Sequence, residues 1–168
     1  MTTDLLDSLL DDWRRERADL DPAAMAIVGR IIVLGEHFKK SVSEALAVHG
    51  LGYTDFDVLA TLRRSGEPFQ LRPAELLRAV LIQSGSLTAC LDRLERSGWV
   101  ARVATPGDRR GRSVQLTDAG RELIDRLIGV RFAEAADRIA SLDSADQETL
   151  ARLLRTLLIA QHETEVAS

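Results

Sequence analysis

The sequence predicts a mainly α-helical protein with one small β-hairpin, an α+β arrangement in which the hairpin interrupts a succession of helices. Three observations carry this expectation. Apolar residues recur at helical spacing over most of the chain. Cap and breaker residues divide those stretches into separate helices. Only one region, from Trp99 to Leu116, alternates with the period of two that a strand requires.

Taken in order, Leu5, Leu6, Leu9, Leu10 and Trp13 share one side of a short helix from about Asp4 to Arg17. Asp21-Pro22 reads as the next start, an N-cap acceptor followed by proline at the first helical position. Met25, Val28, Ile31, Ile32, Phe38, Val42, Ala45 and Leu46 then extend a long helix to about Val48, which Gly50 and Gly52 end. Thr54 opens a third helix with Asp57 at its capping-box position, and Phe56, Leu59 and Leu62 face inward. Ser65-Gly66 closes it.

Pro73 begins a short helix through about Val80, and Gln83-Ser84 caps another that ends before Gly98. Two short helices joined by a tight turn, the second rich in Ser, Thr and Arg, form a helix-turn-helix candidate. Directly behind it, Trp99–Val103 and Arg112–Leu116 alternate as strands around the turn PGDRRG. A hairpin in that place makes the motif its winged version. Thr117 caps a long helix with Leu123, Ile124, Leu127, Val130, Ile139 and Leu142 as its apolar stripe. Ser144 to Gln147 reads as a capping box for a last helix bearing Leu150, Leu153, Leu154, Leu157 and Leu158.

The 168 residues fit one domain, with a core of ordinary size. Within it, residues 4–50 form the N-terminal helices, 51–116 a winged helix-turn-helix lobe, and 117–165 the C-terminal helices. No apolar run approaches the roughly 18 residues of a membrane span. The acidic N-terminus lacks the basic region of a secretion signal, and one cysteine excludes an internal disulfide framework, so the expected location is the cytoplasm.

Charge is distributed unevenly. The formal net charge is −4, yet residues 63–112 hold ten arginines against five acidic residues, a net of +5. The remainder holds 12 basic and 21 acidic residues, a net of −9. Such a molecule has an electropositive front for an anionic polymer and an acidic back. The front centres on Arg109, Arg110 and Arg112, flanked by Gly107 and Gly111. A phosphate-binding loop is excluded because GxxxxGK[ST] is missing. Two readings are left: a solvated turn, or a finger for the narrow, electronegative minor groove, which an extended arginine enters where a helix does not fit. Asp108 beside them suits an orienting role, holding a guanidinium ready by charge-assisted hydrogen bonds.

Asp108-Arg109-Arg110 followed by Val114-Gln115-Leu116-Thr117-x-x-Gly120, with Leu94-Glu95-x-x-Gly98-x-Val100 ahead of it, resembles the MarR family of bacterial transcriptional regulators. The resemblance spans roughly Asp21 to Gln161. It implies an obligate homodimer built from the N- and C-terminal helices, binding a pseudo-palindromic double-stranded operator and released by a small molecule. Trp13, Glu16–Asp21, Met25 and Gly29-Arg30 look like the branch that carries an extra N-terminal helix and responds to urate or similar anions. That likeness implies a ligand site between the extra helix and the DNA-binding lobe, formed by Trp13, Asp57 and Arg102. A further arginine of the branch falls at Cys90, within 88-TACLDRLE-95. Its absence removes a bidentate partner for an anion, unless Arg14 or Arg15 replaces it.

Each candidate has a plainer alternative. Gln83, Ser84, Ser86 and Thr88 sit where a recognition helix enters the major groove, but they also suit capping and helix surface. Arg93 and Arg96, further along, suit phosphate contacts; for Arg93 the alternative is an ion pair with neighbouring acids on its own helix. Asp57 is either a cap or a ligand contact, Trp13 either core or pocket, and Arg102 either pocket or phosphate contact. Cys90 reads as a small buried hydrophobe rather than a redox switch. His37, His49 and His162 have no metal-ligand spacing, and no nucleophile stands beside a base, so neither a metal, a cofactor nor an enzyme is expected.

Overall fold

The computed structural model describes residues 3–80, 87–105 and 108–166. Helix α1 (Leu5–Glu16) starts at a reciprocal cap: the Asp4 side chain accepts from the Asp7 N–H, and Asp7 accepts from the Asp4 N–H, both at 3.0 Å. It packs on α2 (Ala23–Ala47). Leu10 is buried there, and a Cβ on Gly29 would come within 2.8 Å of Leu6 Cδ1, so the two helices approach closely. Arg30 of α2 donates to Asp4 at 2.8 Å and to Asp7 at 2.6 Å, which fastens the outer helix at its start. Gly29-Arg30 thus forms the docking seat of α1.

The boundary of α2 lies one residue from expectation. The Asp21 side chain accepts from the Ala23 N–H at 2.9 Å, and Pro22 precedes the first helical residue instead of occupying it. The start of α3 (Tyr53–Arg64) corrects the sequence reading further. Gly52 is the N-cap and Asp55, not Asp57, closes the box by accepting from the Gly52 N–H at 2.9 Å. Threonine at 54 suggests a cap by residue type, but the helix begins earlier because Leu51 is already drawn into the core.

Next come β1 (Gln70–Leu71), α4 (Pro73–Ala79), α5 (Leu87–Arg96), β2 (Val100–Thr105) and β3 (Asp108–Leu116). The three strands form an antiparallel sheet in the order β1-β3-β2, with Gln70 opposite Gln115 and Arg102 opposite Val114. The two-residue strand β1 has no signal in the sequence. Its pairing depends on a distant partner, and Phe69 leads into it with φ at +57°. The ring of Phe69 is held under the Arg63 guanidinium, 4.8 Å from its centroid, while Arg63 Nε donates to Asp125 at 2.6 Å.

The long helix α6 (Asp118–Arg138) ends sooner than its apolar stripe suggests. Ile139 lies at its C-cap and Leu142 in the link to α7 (Ser144–Val166). Asp143, rather than Ser144, caps α7: its carboxylate accepts from the Asp146 N–H at 2.9 Å. Gln147 instead turns its amide back to the Leu142 carbonyl, also at 2.9 Å.

The core lies in the winged lobe. Val58, Leu59 and Leu62 of α3, Leu76 of α4, Leu94 of α5, Val114 of β3 and Ile124 of α6 are at most 1% exposed. Each fully buried aliphatic side chain contributes about 2 kcal/mol, so this lobe is held by its own interior. The apolar stripe of α7 gains no such support: Leu150, Leu153, Leu154, Leu157 and Leu158 are each at least 40% exposed.

The junction between hairpin and α6 explains the Thr117-x-x-Gly120 motif. Thr117 Oγ1 accepts from the Gly120 N–H at 3.0 Å and donates to the Gly98 carbonyl at 2.7 Å, while its own N–H reaches the Trp99 carbonyl at 3.1 Å. Here α6 passes so close to Trp99 that a Cβ on Gly120 would stand 1.9 Å from the Trp99 carbonyl oxygen. Gly120→Ala is therefore expected to destabilise the fold by about 3 kcal/mol, since backbone must move to admit one methyl group. Urea denaturation of the two proteins measures it.

Candidate nucleic-acid interface

Helix α5 turns Cys90, Leu91 and Leu94 into the core, presents Thr88, Asp92 and Arg96 outward, and carries Arg93, half exposed, at the edge that faces α3. The expected major-groove residues Gln83, Ser84 and Ser86 lie outside the described residues. Thr88, in the first turn of the described helix, is exposed. Arg96 is exposed too and donates from Nε to the Asp92 carbonyl at 3.2 Å.

Asp108, Arg109 and Arg110 lie on β3, which pairs with β2 to form the wing. Arg112 follows on the same strand opposite Ala104, with its side chain exposed. Val114 and Leu116, on the same face of the strand as Arg112, are buried further along it and anchor the wing's base. The register slips between Ala104 and Thr105, where the two strands approach the turn.

The remaining candidates fall on three elements. Trp13 of α1 is 53% exposed. Arg14 and Arg15 beside it pair with Asp11 and Asp12 of the same helix. Asp57 of α3 is buried, with its carboxylate 3.9 Å from Arg64. Arg102 of β2 donates to Asp92 and, at 2.7 Å, to Glu95, both on α5. Its guanidinium thereby clips the wing to the exposed side of α5.

Arg93 does not pair with acids of its own helix. It reaches across to α3, where Asp55 accepts from its Nε at 3.1 Å and its Nη2 at 2.5 Å. Asp55 is 3% exposed. Burial pushes its carboxyl up, but the Arg93 guanidinium, the Gly52 N–H and the Cys90 thiol outweigh it and hold it below the ordinary value. The stability this carboxylate contributes is therefore present above the usual carboxylate range and lost as pH falls below it. Cys90 itself donates to Asp55 at 3.2 Å. Its thiol is fully buried and, through burial and the adjacent carboxylate, pushed up to about 12.

Among the described residues no group of three or more His, Cys, Asp or Glu side chains is arranged to hold a metal ion. No helix among them is long and apolar enough to cross a membrane.

The profile of the MarR family matches residues 49–111, from just after α2 into β3. The chain is 34% identical over 146 residues to the HTH-type transcriptional regulator PecS of Dickeya dadantii, covering 87% of this chain and 88% of PecS. The chain belongs to the MarR family. It is also 32% identical over 100 residues to the multiple antibiotic resistance protein MarR of Salmonella typhimurium, covering 59% of this chain and 67% of that one. The fold is that of the crystal structure of Sco3205, a MarR family transcriptional regulator from Streptomyces coelicolor, in complex with DNA. That match has a TM-score of 0.74 at 23% identity and covers 83% of this chain and 88% of Sco3205.

As a MarR-family protein the chain is a DNA-binding transcriptional regulator and not an enzyme. Sequence reasoning missed Asp55, the residue on which α3 and α5 converge. A signal was present in Gly52-x-x-Asp55, which has the spacing of a cap, but Thr54-x-x-Asp57 competed for the same role. The Arg30 pairing with Asp4 and Asp7 was missed because its partners are 26 and 23 residues apart in the chain.

The geometry of Cys90 sets an expectation for its chemistry. In the folded protein at pH 8 the thiol should remain unmodified by a thiolate-directed reagent such as iodoacetamide, and react only on unfolding. Mass spectrometry with and without denaturant measures this; rapid native labelling would contradict the buried placement.

Proposed function

We propose that this MarR-family regulator acts as a homodimeric repressor on a pseudo-palindromic operator. Each α5 lies in a major groove and each wing in the flanking minor groove, with half-sites about one helical turn apart. The observation that carries the reading is the concentration of arginine in residues 63–112 of an otherwise acidic chain. Arg109, Arg110 and Arg112 enter the minor groove, with Asp108 orienting them. Gln83, Ser84, Ser86 and Thr88 meet the major groove, and Arg96 meets phosphate. The DNA-bound state of Sco3205 supports this use of the fold.

A second copy of the chain is the proposed partner of the long helices. Ile31 and Ile32 of α2 and Leu153, Leu154, Leu157 and Leu158 of α7 are exposed in the single chain. Two such helical stripes, on elements outside the self-sufficient lobe, supply the apolar surface of an obligate interface.

The release signal is proposed to be a small aromatic or anionic molecule bound near Trp13, Asp57 and Arg102. Relatives of the fold include Bordetella bronchiseptica BpsR, whose DNA binding is regulated by 6-hydroxynicotinic acid, and an organohalide-sensing regulator bound to 2,4-dichlorophenol. An anion that draws on Arg102 competes with Asp92 and Glu95, two residues of α5 itself. A tenfold loss of DNA affinity requires only about 1.4 kcal/mol of preference for the non-matching state.

Fluorescence anisotropy on the duplex upstream of the protein's own gene, against a scrambled duplex, tests the reading. Arg110→Ala is expected to weaken operator binding at least tenfold while sedimentation still shows a dimer; unchanged affinity would remove the wing from the interface. Trp13→Ala is expected to abolish release by an effective ligand, with urate and 6-hydroxynicotinic acid as first probes, while sparing DNA binding. Loss of both properties together would make Trp13 a packing residue.

A further inference from the structure

We infer that Arg93 is a positioning residue of the DNA-reading helix, acting through Asp55, and does not contact phosphate. The inference rests on the DNA-binding reading above. Both of the guanidinium's observed donors, Nε and Nη2, face one buried carboxylate, and such a fork fixes the plane of the guanidinium as well as its distance. Turning Arg93 outward to a phosphate would leave Asp55, 3% exposed, without that counter-charge.

The attachment has a second point. Cys90 stands one turn before Arg93 on α5, and its thiol donates to the same Asp55 oxygen that accepts from Arg93 Nη2. Two contacts a turn apart, both on the side facing α3, restrain rotation of α5 about its own axis. Rotation is what base reading tolerates least. Side-chain tips lie about 5–6 Å from the axis of a helix, so a turn of roughly 20° moves them by about 2 Å. That displacement is enough to break a bidentate contact with a base edge. Asp55 is itself held by the Gly52 N–H at 2.9 Å, beside the buried Leu51 where α2 passes into α3. The reading helix is therefore set against the junction of the long helix and the lobe.

The test uses the full-length protein and a duplex it selects from a random double-stranded library. Binding to that duplex and to a scrambled one is measured between 50 and 200 mM salt (roughly the range over which phosphate contacts are counted). Arg93→Ala and Asp55→Asn are each expected to lower affinity for the selected duplex tenfold or more. Affinity for the scrambled duplex and the salt slope should stay unchanged, and the double variant should lose no more than the worse single one. If Arg93→Ala does not fold, Arg93→Lys replaces it: the charge remains but the fork is lost, so selectivity should still fall.

A loss shared by both duplexes with the salt slope reduced by about 0.9 would make Arg93 a phosphate contact and overturn the inference. An equal loss on both duplexes at constant slope would reduce the pair to plain stability, and full retention of selectivity in the variants would also overturn it. If the wild-type protein selects no duplex, the DNA-binding reading fails, and this inference fails with it.

Discussion

The burial of α3 on nearly every side is the constraint around which the structure is arranged. This twelve-residue helix touches α2, α4, α5, α6 and β3, and Val58, Leu59 and Leu62 have no exposure at all. A helix so enclosed cannot leave its polar groups to water, yet it also buries Asp55 and Asp57. Each buried carboxylate must therefore be met by a cation or donor. Arg93 arrives from α5, and Arg64 turns back near Asp57 while donating to the Ala79 carbonyl at the end of α4. The polar cost of enclosing α3 thus becomes the means by which the helices of the DNA-binding motif are placed.

Elements with a strong local period were legible before any coordinates. The two long helices, the hairpin and the helix-turn-helix follow from apolar spacing and from punctuation such as Pro73 and Ser65-Gly66, and Thr117 caps α6 as its position suggests. Misreadings cluster at helix starts, where neighbouring residues offer alternative caps: Gly52 takes the place expected for Thr54, and Asp143 that expected for Ser144. Strand β1 was illegible for a different reason: two residues carry no period, and only β3 defines them. In the candidate site, residue types and faces were readable, but partners were not. Nothing in local sequence says that Arg93 looks past Asp92 and Glu95 to an aspartate 38 residues earlier.

The chain divides its apolar residues between two destinations. Those of α3, α5, the sheet and the first half of α6 fill one interior. Those of α7 and most of α2 have the same helical period but face outward, while Val42 and Leu46 at the end of α2 join the interior. A sequence pattern reports that a face is apolar and not which molecule covers it, so both sets look alike until packing is known. The division is economical for a regulator. The winged lobe keeps its internal geometry without help from the outward faces of α2 and α7.

Helix α5 joins these parts by two unlike kinds of contact. Its apolar face is fixed by full burial of Cys90 and Leu94. Its rim is tied by ion pairs on opposite sides: Arg93 to α3, and Asp92 with Glu95 to Arg102 on the wing strand. The Arg102 pairs, exposed on both partners, contribute little stability, about 0–1 kcal/mol, whereas Arg93 answers a buried carboxylate. Direction is what they supply. The Arg102 pairs can therefore be exchanged for others without unfolding the lobe. A cost of that size is comparable to the roughly 1.4 kcal/mol that separates tenfold steps in affinity. An exposed pair of this worth is weak enough for a competing charge to exchange it while the apolar face of α5 stays buried.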